Sequence, residues 1–296
     1  MILVFANNIK TDYSGYVKLL QALALANKSP DSSIVFDFKN VQFFEANLCA
    51  VLGAIVETIR TTGKTVKFIN INYRVEAIMR KNRFLCDHGF PNLPDGYHTT
   101  IEYQKFNPEQ PDDDQRFNLY IQKQLLAKPE FPSHSELLGV HISRNIFEIY
   151  ENARTHGKCN FIHTCGQYFP NMPLKPLNVT IVDRGINFKE NVGNFLKQNI
   201  EGNKAIEWAI KKGNTTKTGN ISGGLGLDII FDFVKHNKGK IQIISADGFW
   251  EWNKGNIVSN VFPFTFEGTI ANIRFNLNDP RHYILMSEQT DFDNIF

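Results

Sequence analysis

The chain has 296 residues, 42% of them hydrophobic and 12% aromatic, with 32 lysines and arginines against 30 acidic residues for a net charge of +2. That length suffices for two ordinary domains with well-packed cores, and the even charge balance gives no electrostatic case for nucleic acid or an anionic membrane surface. Four scattered cysteines, no basic start leading into a long apolar run, and no apolar stretch of about 20 residues predict a cytoplasmic protein with reduced thiols and no membrane span.

Strand and helix signals alternate through the first third of the chain: "MILVF", a helix through "GYVKLLQALALAN", "SIVFDF", a helix through "NLCAVLGAIVETIRTTG", then "TVKFINI" and "VEAIMRKNRFLCDHG". Such alternation predicts an α/β domain over 1–106 with a mixed or parallel sheet. Residues 107–134 are expected to form a linker and connecting helix, because "NPEQPDDDQ" combines two prolines with consecutive aspartates and few apolar groups. Over 135–280, long helices, the strand "LNVTIVD", a broad glycine-bearing region and the strands "KIQIISA" and "TIANIRFNL" predict a second domain, an α+β or α/β sandwich, followed by a tail over 281–296. The expected fold class is thus α/β (α+β).

Four stretches of the second domain carry chemistry. In "EIYENARTHG", Ile146, Ile149, Tyr150 and Ala153 recur at helical spacing as an apolar stripe, while Glu148 and Asn152 share a different face one turn apart. Asparagine is a mediocre helix former, so its place there asks for a reason, and His156-Gly157 closes the helix. "VTIVDRGINF" reads as a strand ending at Asp183, with Gly185 beyond it; a carboxylate there can accept from an exocyclic amine. "GNISGGLGLDIIFDFVKH" places Gly219, Gly223, Gly224 and Gly226 before an apolar helix, where backbone N–H groups can converge on phosphate oxygens. The preceding "KKGNTTKTGN", with Lys211, Lys212, Thr215, Thr216 and Lys217, predicts a mobile, phosphate-facing lid. Finally, "FEGTIANIRFNL" opens a strand with Gly268-Thr269, a small hydroxyl near a base pocket.

Taken together and in this order, the four stretches resemble the nucleotide-binding domain of the GHKL superfamily of ATPases and kinases over about residues 135–280. "EIYENARTHG" is most similar to the anti-sigma-factor serine kinase branch. The resemblance implies a Bergerat fold, a layer of helices over a mixed sheet, with ATP held between helices and a lid. It implies that Asn152 binds Mg²⁺, that Glu148 orients and deprotonates the attacking water or hydroxyl, that Asp183 reads adenine, and that Gly185 makes room for the ring. Thr269 assists through a water, and Gly223, Gly224, Leu225 and Gly226, with Thr216 and Lys217, close on the phosphates. Asn187 stands where the second box commonly has glycine, and asparagine tolerates the left-handed backbone better than most residues. Arg154 is a further charge partner whose direction the spacing leaves open.

A shorter resemblance links "SIVFDFKNVQFFEANLCAVLGAI" to the strand, turn and helix of a STAS domain. The turn, which in that family often carries a phosphorylatable serine followed by glycine, reads Glu45-Ala46-Asn47-Leu48 here, so phosphorylation at that site is expected to be lost and a fixed interaction or packing surface left. His156, Cys159, His163 and Cys165 are potential zinc ligands, but their spacings match no common ligand pair, and a buried strand explains the cysteines as well. The expected function is a Mg-ATP-binding regulatory protein that controls a protein partner through slow hydrolysis or phosphoryl transfer. The alternatives are a serine/threonine protein kinase of anti-sigma type and a nonhydrolysing nucleotide sensor. Nucleic acid and membrane are not expected as partners, and a homodimer stays open. A sensory histidine kinase is disfavoured because Pro129 and Pro132 break the helix preceding the ATP domain.

Overall fold

In the computed structural model, which describes residues 1–157, 160–211, 213–214 and 228–288, two sheets lie one behind the other with helices between and in front of them. The rear sheet is parallel, in the order β1 (Ile2–Val4), β2 (Ser33–Asp37), β3 (Thr65–Ile69). Its crossovers are α1 (Tyr13–Lys28) and α2 (Cys49–Thr61), and α3 (Tyr73–Lys81) follows β3. Asp12 caps α1 by accepting from the Gly15 N–H, and Asn72 caps α3 in the same way from Arg74 and Val75. Nearly every residue of α2 from Cys49 to Ile59 is buried, which is what a helix apolar on all sides requires. One side of α2 meets the rear sheet and the other meets the front one. The approach to the front sheet is close: a Cβ at Gly53 would overlap the Tyr103 hydroxyl.

The front sheet has five strands, all antiparallel, in the order β4 (Thr100–Phe106), β5 (Ile162–Tyr168), β6 (Pro176–Asp183), β8 (Asn256–Asn276), β7 (Lys240–Asn253). Helices α4 (Asp113–Ile121), α5 (Glu136–Asn152) and α8 (Asp228–His236) pack on its front, while α6 (Phe188–Leu196) and α7 (Gly202–Ala209) lie beside β7. The mixed α/β class is as expected, but the front sheet is antiparallel where a mixed one was anticipated.

Three local expectations are corrected. The segment 100–106, placed at the end of the first domain, is the edge strand of the front sheet: Ile101 fills the front core while Tyr103, two residues on, faces back, a change of side made by the register irregularity between Ile101 and Gln104. Within 107–134, Phe117, Tyr120, Ile121, Leu125 and Phe131 are all buried in the front core, so this stretch is a packed layer and not a linker. Its aspartates have structural work, since Asp113 accepts from the Asn107 N–H and pairs with Arg116. Lastly, β7 and β8 continue past the expected strands and join through Lys254-Gly255, both with positive φ (50° and 88°), as a two-residue hairpin turn demands. The tail from Arg281 to Glu288 packs back on the start of α5, where Ser135 donates to Glu288 and His134 bridges to Tyr283.

The two faces of the front sheet differ in chemistry. Its front presents Val179, Ile181, Ile241, Ile243, Ile273 and Phe275 to the helices. Its back presents Thr180, Asn272 and Gln242 as one in-register row and Asn178, Arg274 and Lys240 as the next, all well buried or nearly so. The turn 45–47 docks on this grid. Asn47 Nδ2 donates to Thr180 Oγ1 at 2.9 Å and Asn272 Oδ1 at 3.3 Å, the Ala46 N–H donates to Gln167 Oε1, and Asn178 Nδ2 donates to Glu45 Oε2 at 3.2 Å. Tyr16 and the Thr11 carbonyl complete it through Gln242 and Lys240. No helix among the described residues is long and apolar enough to cross a membrane.

Candidate functional site

The front face stops being apolar at one rim. Asp183, the last residue of β6, pairs with Thr269 of β8, which pairs with Ser245 of β7. Side-chain alternation puts these three on the same side as Ile181, Ala271 and Ile243, so a carboxylate and two hydroxyls stand in a row at the end of an apolar floor. Asp183 Oδ1 accepts from the Gly185 N–H at 2.8 Å. Burial raises its pKa from the ordinary carboxylate value to about 7, and only the backbone N–H groups of Gly185 and Thr269 oppose that shift. A buried carboxylate this poorly compensated retains acceptor capacity for a ligand.

Gly268 holds the row together. Its φ of 121° is open to glycine alone, and a Cβ would overlap the Asp183 carbonyl. Ser245 Oγ lies 3.0 Å from the Gly268 carbonyl and 3.1 Å from Thr269 Oγ1, and it accepts from the Phe188 N–H at 2.9 Å. The start of α6 is thereby tied to the rim. Asn187 has φ −82°, not a left-handed value, and caps α6 through Oδ1, which accepts from the Glu190 N–H at 2.9 Å. The departure from glycine at this position is thus explained by capping rather than by tolerance of positive φ.

Helix α5 delivers the second pair. Ser135 caps its start by accepting from the Leu138 N–H; Ile146, Tyr150 and Ala153 form the buried stripe, with Ile149 partly buried beside them. Glu148 and Asn152 are both half-buried and one turn apart. Directly after Asn152 the helix widens into a π-type turn, Ala153–Gly157, a distortion that often accompanies functional positions. The chain then enters β5 at Ile162, whose partner across the sheet is Asp183, so the end of α5 and the polar row lie at the same end of the sheet. Arg154 is exposed and pairs with Glu151, which turns it away from the role of a ligand cation.

Asn145 was not anticipated. It is buried, and its Oδ1 accepts from the Ile230 N–H at 2.8 Å, capping the first turn of α8 from α5. It fixes the helix that follows the glycine-rich segment to the helix that carries Glu148 and Asn152. Thr216, Lys217, Gly223, Gly224, Leu225 and Gly226 lie outside the described residues, as do Lys212, Thr215, Gly219 and Cys159. Of the suggested zinc ligands, Cys165 is on the back face and donates to the carbonyls of Ala46 and Asn47, with burial pushing its thiol pKa well up. His163 Nδ1 lies 2.9 Å from the Tyr103 hydroxyl, and burial, aided by Lys105 and Arg184, depresses its pKa to about 3. Among the described residues no group of three or more histidine, cysteine or acidic side chains is placed to hold a metal.

No family model matches the chain, and no curated protein matches it significantly. The site therefore stands on its own geometry: an acceptor row at the end of an apolar floor, beside a helix end that offers an amide and a carboxylate.

Proposed function

We propose that the chain is a Mg-ATP-binding regulatory protein of the GHKL type, in which nucleotide held at the front rim, with slow hydrolysis or phosphoryl transfer, sets its hold on a protein partner. The observation that supports this most is the in-register row of Asp183, Thr269 and Ser245. Its buried carboxylate suits the exocyclic amine of adenine, and the apolar floor beneath suits a flat ring. Asn152 and Glu148 offer hard oxygens on one helix face, the donor type magnesium takes, and it keeps several waters besides. Bound Mg-ATP would supply a γ-phosphoryl group whose negative charge the cation offsets.

The chain's own residues divide the remaining work. Asp183 selects and orients the base, Thr269 adds a second contact there, and Asn145 keeps α8 registered on α5. Glu148 holds the nucleophile and takes its proton. Water as nucleophile gives an ATPase, and a serine or threonine hydroxyl gives a protein kinase. Incubation with γ-labelled ATP, with and without copurifying proteins, separates the two: free phosphate indicates hydrolysis, and label on a partner indicates transfer. Binding without release or transfer in either condition makes the chain a nonhydrolysing sensor.

A further inference from the structure

We propose that Ser245 is a positioning residue that makes the base site selective for a 6-aminopurine over a 6-oxopurine by fixing which way the Thr269 hydroxyl points; this rests on the nucleotide reading above. The argument is a count of protons. Ser245 Oγ is fully buried and touches three polar groups: the Phe188 N–H at 2.9 Å, the Gly268 carbonyl at 3.0 Å and Thr269 Oγ1 at 3.1 Å. An amide N–H can only donate and a carbonyl can only accept, whereas a hydroxyl has one proton and two lone pairs. Only one assignment makes all three contacts hydrogen bonds, and in it the single Ser245 proton goes to the Gly268 carbonyl. One lone pair receives the Phe188 N–H, and the other is left for Thr269, whose hydroxyl must then donate toward Ser245.

Thr269 has one proton, and this assignment spends it inward. Toward the half-buried rim it presents lone pairs alone. Beside it, Asp183 as a carboxylate also presents acceptors alone. The rim is thus polarised to receive donors: the amine at position 6 of adenine, directly or through a water that gives its other proton to the ring nitrogen N1. A 6-oxopurine shows the reverse pattern, an acceptor oxygen and an N1–H, and would set its oxygen against two acceptors. Without Ser245 the Thr269 hydroxyl is released to rotate and can donate outward, which relaxes the choice. Ser245 touches no base in this scheme and acts through Thr269.

The test uses ATP and ITP, which differ only in the amine-to-oxo change and the N1 proton that goes with it. Binding of each to the full chain, with Mg²⁺ and at about pH 8.5 so that Asp183 is ionised, is measured by calorimetric titration for the parent, Ser245→Ala, Ser245→Thr, Thr269→Val and the double variant. The parent should prefer ATP by roughly 10- to 100-fold, the worth of a mispaired buried polar group. Ser245→Ala should lower the ratio severalfold, leaving the part that Asp183 supplies, Ser245→Thr should restore it, and the double variant should show no further change beyond Thr269→Val, as expected of two residues acting as one unit. Should Ser245→Ala unfold, Ser245→Cys keeps the volume, weakens the acceptor and carries the same expectation. A parent that binds neither nucleotide overturns the nucleotide reading and this inference with it. A parent that prefers ATP while Ser245→Ala or Ser245→Cys keeps the full ratio overturns the role of Ser245 and leaves the nucleotide reading standing.

Discussion

On the back of the front sheet, Thr180, Asn272 and Gln242 stand side by side and spend their hydrogen bonds on one another, on Asn47, on Tyr16 and on Glu251. Three residues further along the same strands, and about 10 Å away, Asp183, Thr269 and Ser245 stand side by side on the front. There the carboxylate is answered by two backbone N–H groups and is left with a pKa near 7. Both rows are buried polar chemistry, so both would be expensive if unpartnered. The back row is closed by the chain's own turn 45–47, and the front row ends at a rim. A satisfied network fixes one arrangement of two packed layers; an incompletely compensated one at an edge is where a ligand can complete the pairing.

The contrast can be broken or sharpened by substitution. The largest effect is expected on the front: Glu148→Ala should leave Mg-ATP bound and lower turnover by roughly 10²–10⁴, the usual worth of a positioned base. Phosphate release at the parental rate would remove Glu148 from that role. On the back, Asn47→Ala strips a donor from Thr180 and Asn272 where water does not enter, and should cost about 2–3 kcal/mol in urea denaturation. Its ATP-to-ITP ratio should stay at the parental value; a change of severalfold would show that the two faces are not separate.

The smallest net effect is on pH dependence, because two slopes run in opposite senses and largely cancel in the parent. Asp183 has its pKa raised to about 7, so between about pH 4 and 7 the folded chain keeps a proton the unfolded chain has released. Its contribution to stability therefore falls as pH rises, by up to about 1.4 kcal/mol per pH unit, and levels off above 7. His163, on the back, has its pKa lowered from 6.5 to about 3, so over that window the unfolded chain binds a proton that the folded chain refuses, and stability falls as pH drops. Asp183→Asn should abolish the first slope and His163→Gln the second, in denaturation measured from pH 4 to 8. Slopes that survive both substitutions would place the titrating groups elsewhere.

What the sequence made legible follows from how local each signal is. The strand ending at Asp183, the helix bearing Glu148 and Asn152, and the alternation of the first sheet are written in consecutive residues, and each has its expected place. The segment 100–106 falls to the first domain by its place in the sequence alone, and only pairing with residues 162–167 reveals it as a strand of the front sheet. The run of aspartates at 112–114 looks like a linker because the partners of Asp113, Asn107 and Arg116, are visible only once the turn is folded. Ser245 carries no local mark at all: it gains its meaning from Phe188, 57 residues away, and from Gly268 and Thr269 across a long hairpin. The polar back row is equally hidden, since Asn178, Thr180, Gln242 and Asn272 read as the solvent side of ordinary strands until the turn at Asn47 covers them.

Calorimetric titration of Mg-ATP at about pH 8.5, where Asp183 is ionised, into the parent chain and into Asp183→Asn tests most directly whether the front rim is a base-reading site. The parent should bind one nucleotide per chain, and Asp183→Asn, still unfolding cooperatively, should bind roughly 10- to 100-fold more weakly, the worth of a hydrogen bond to a charged group. Equal affinity in the two proteins, or no binding by the parent, would contradict it.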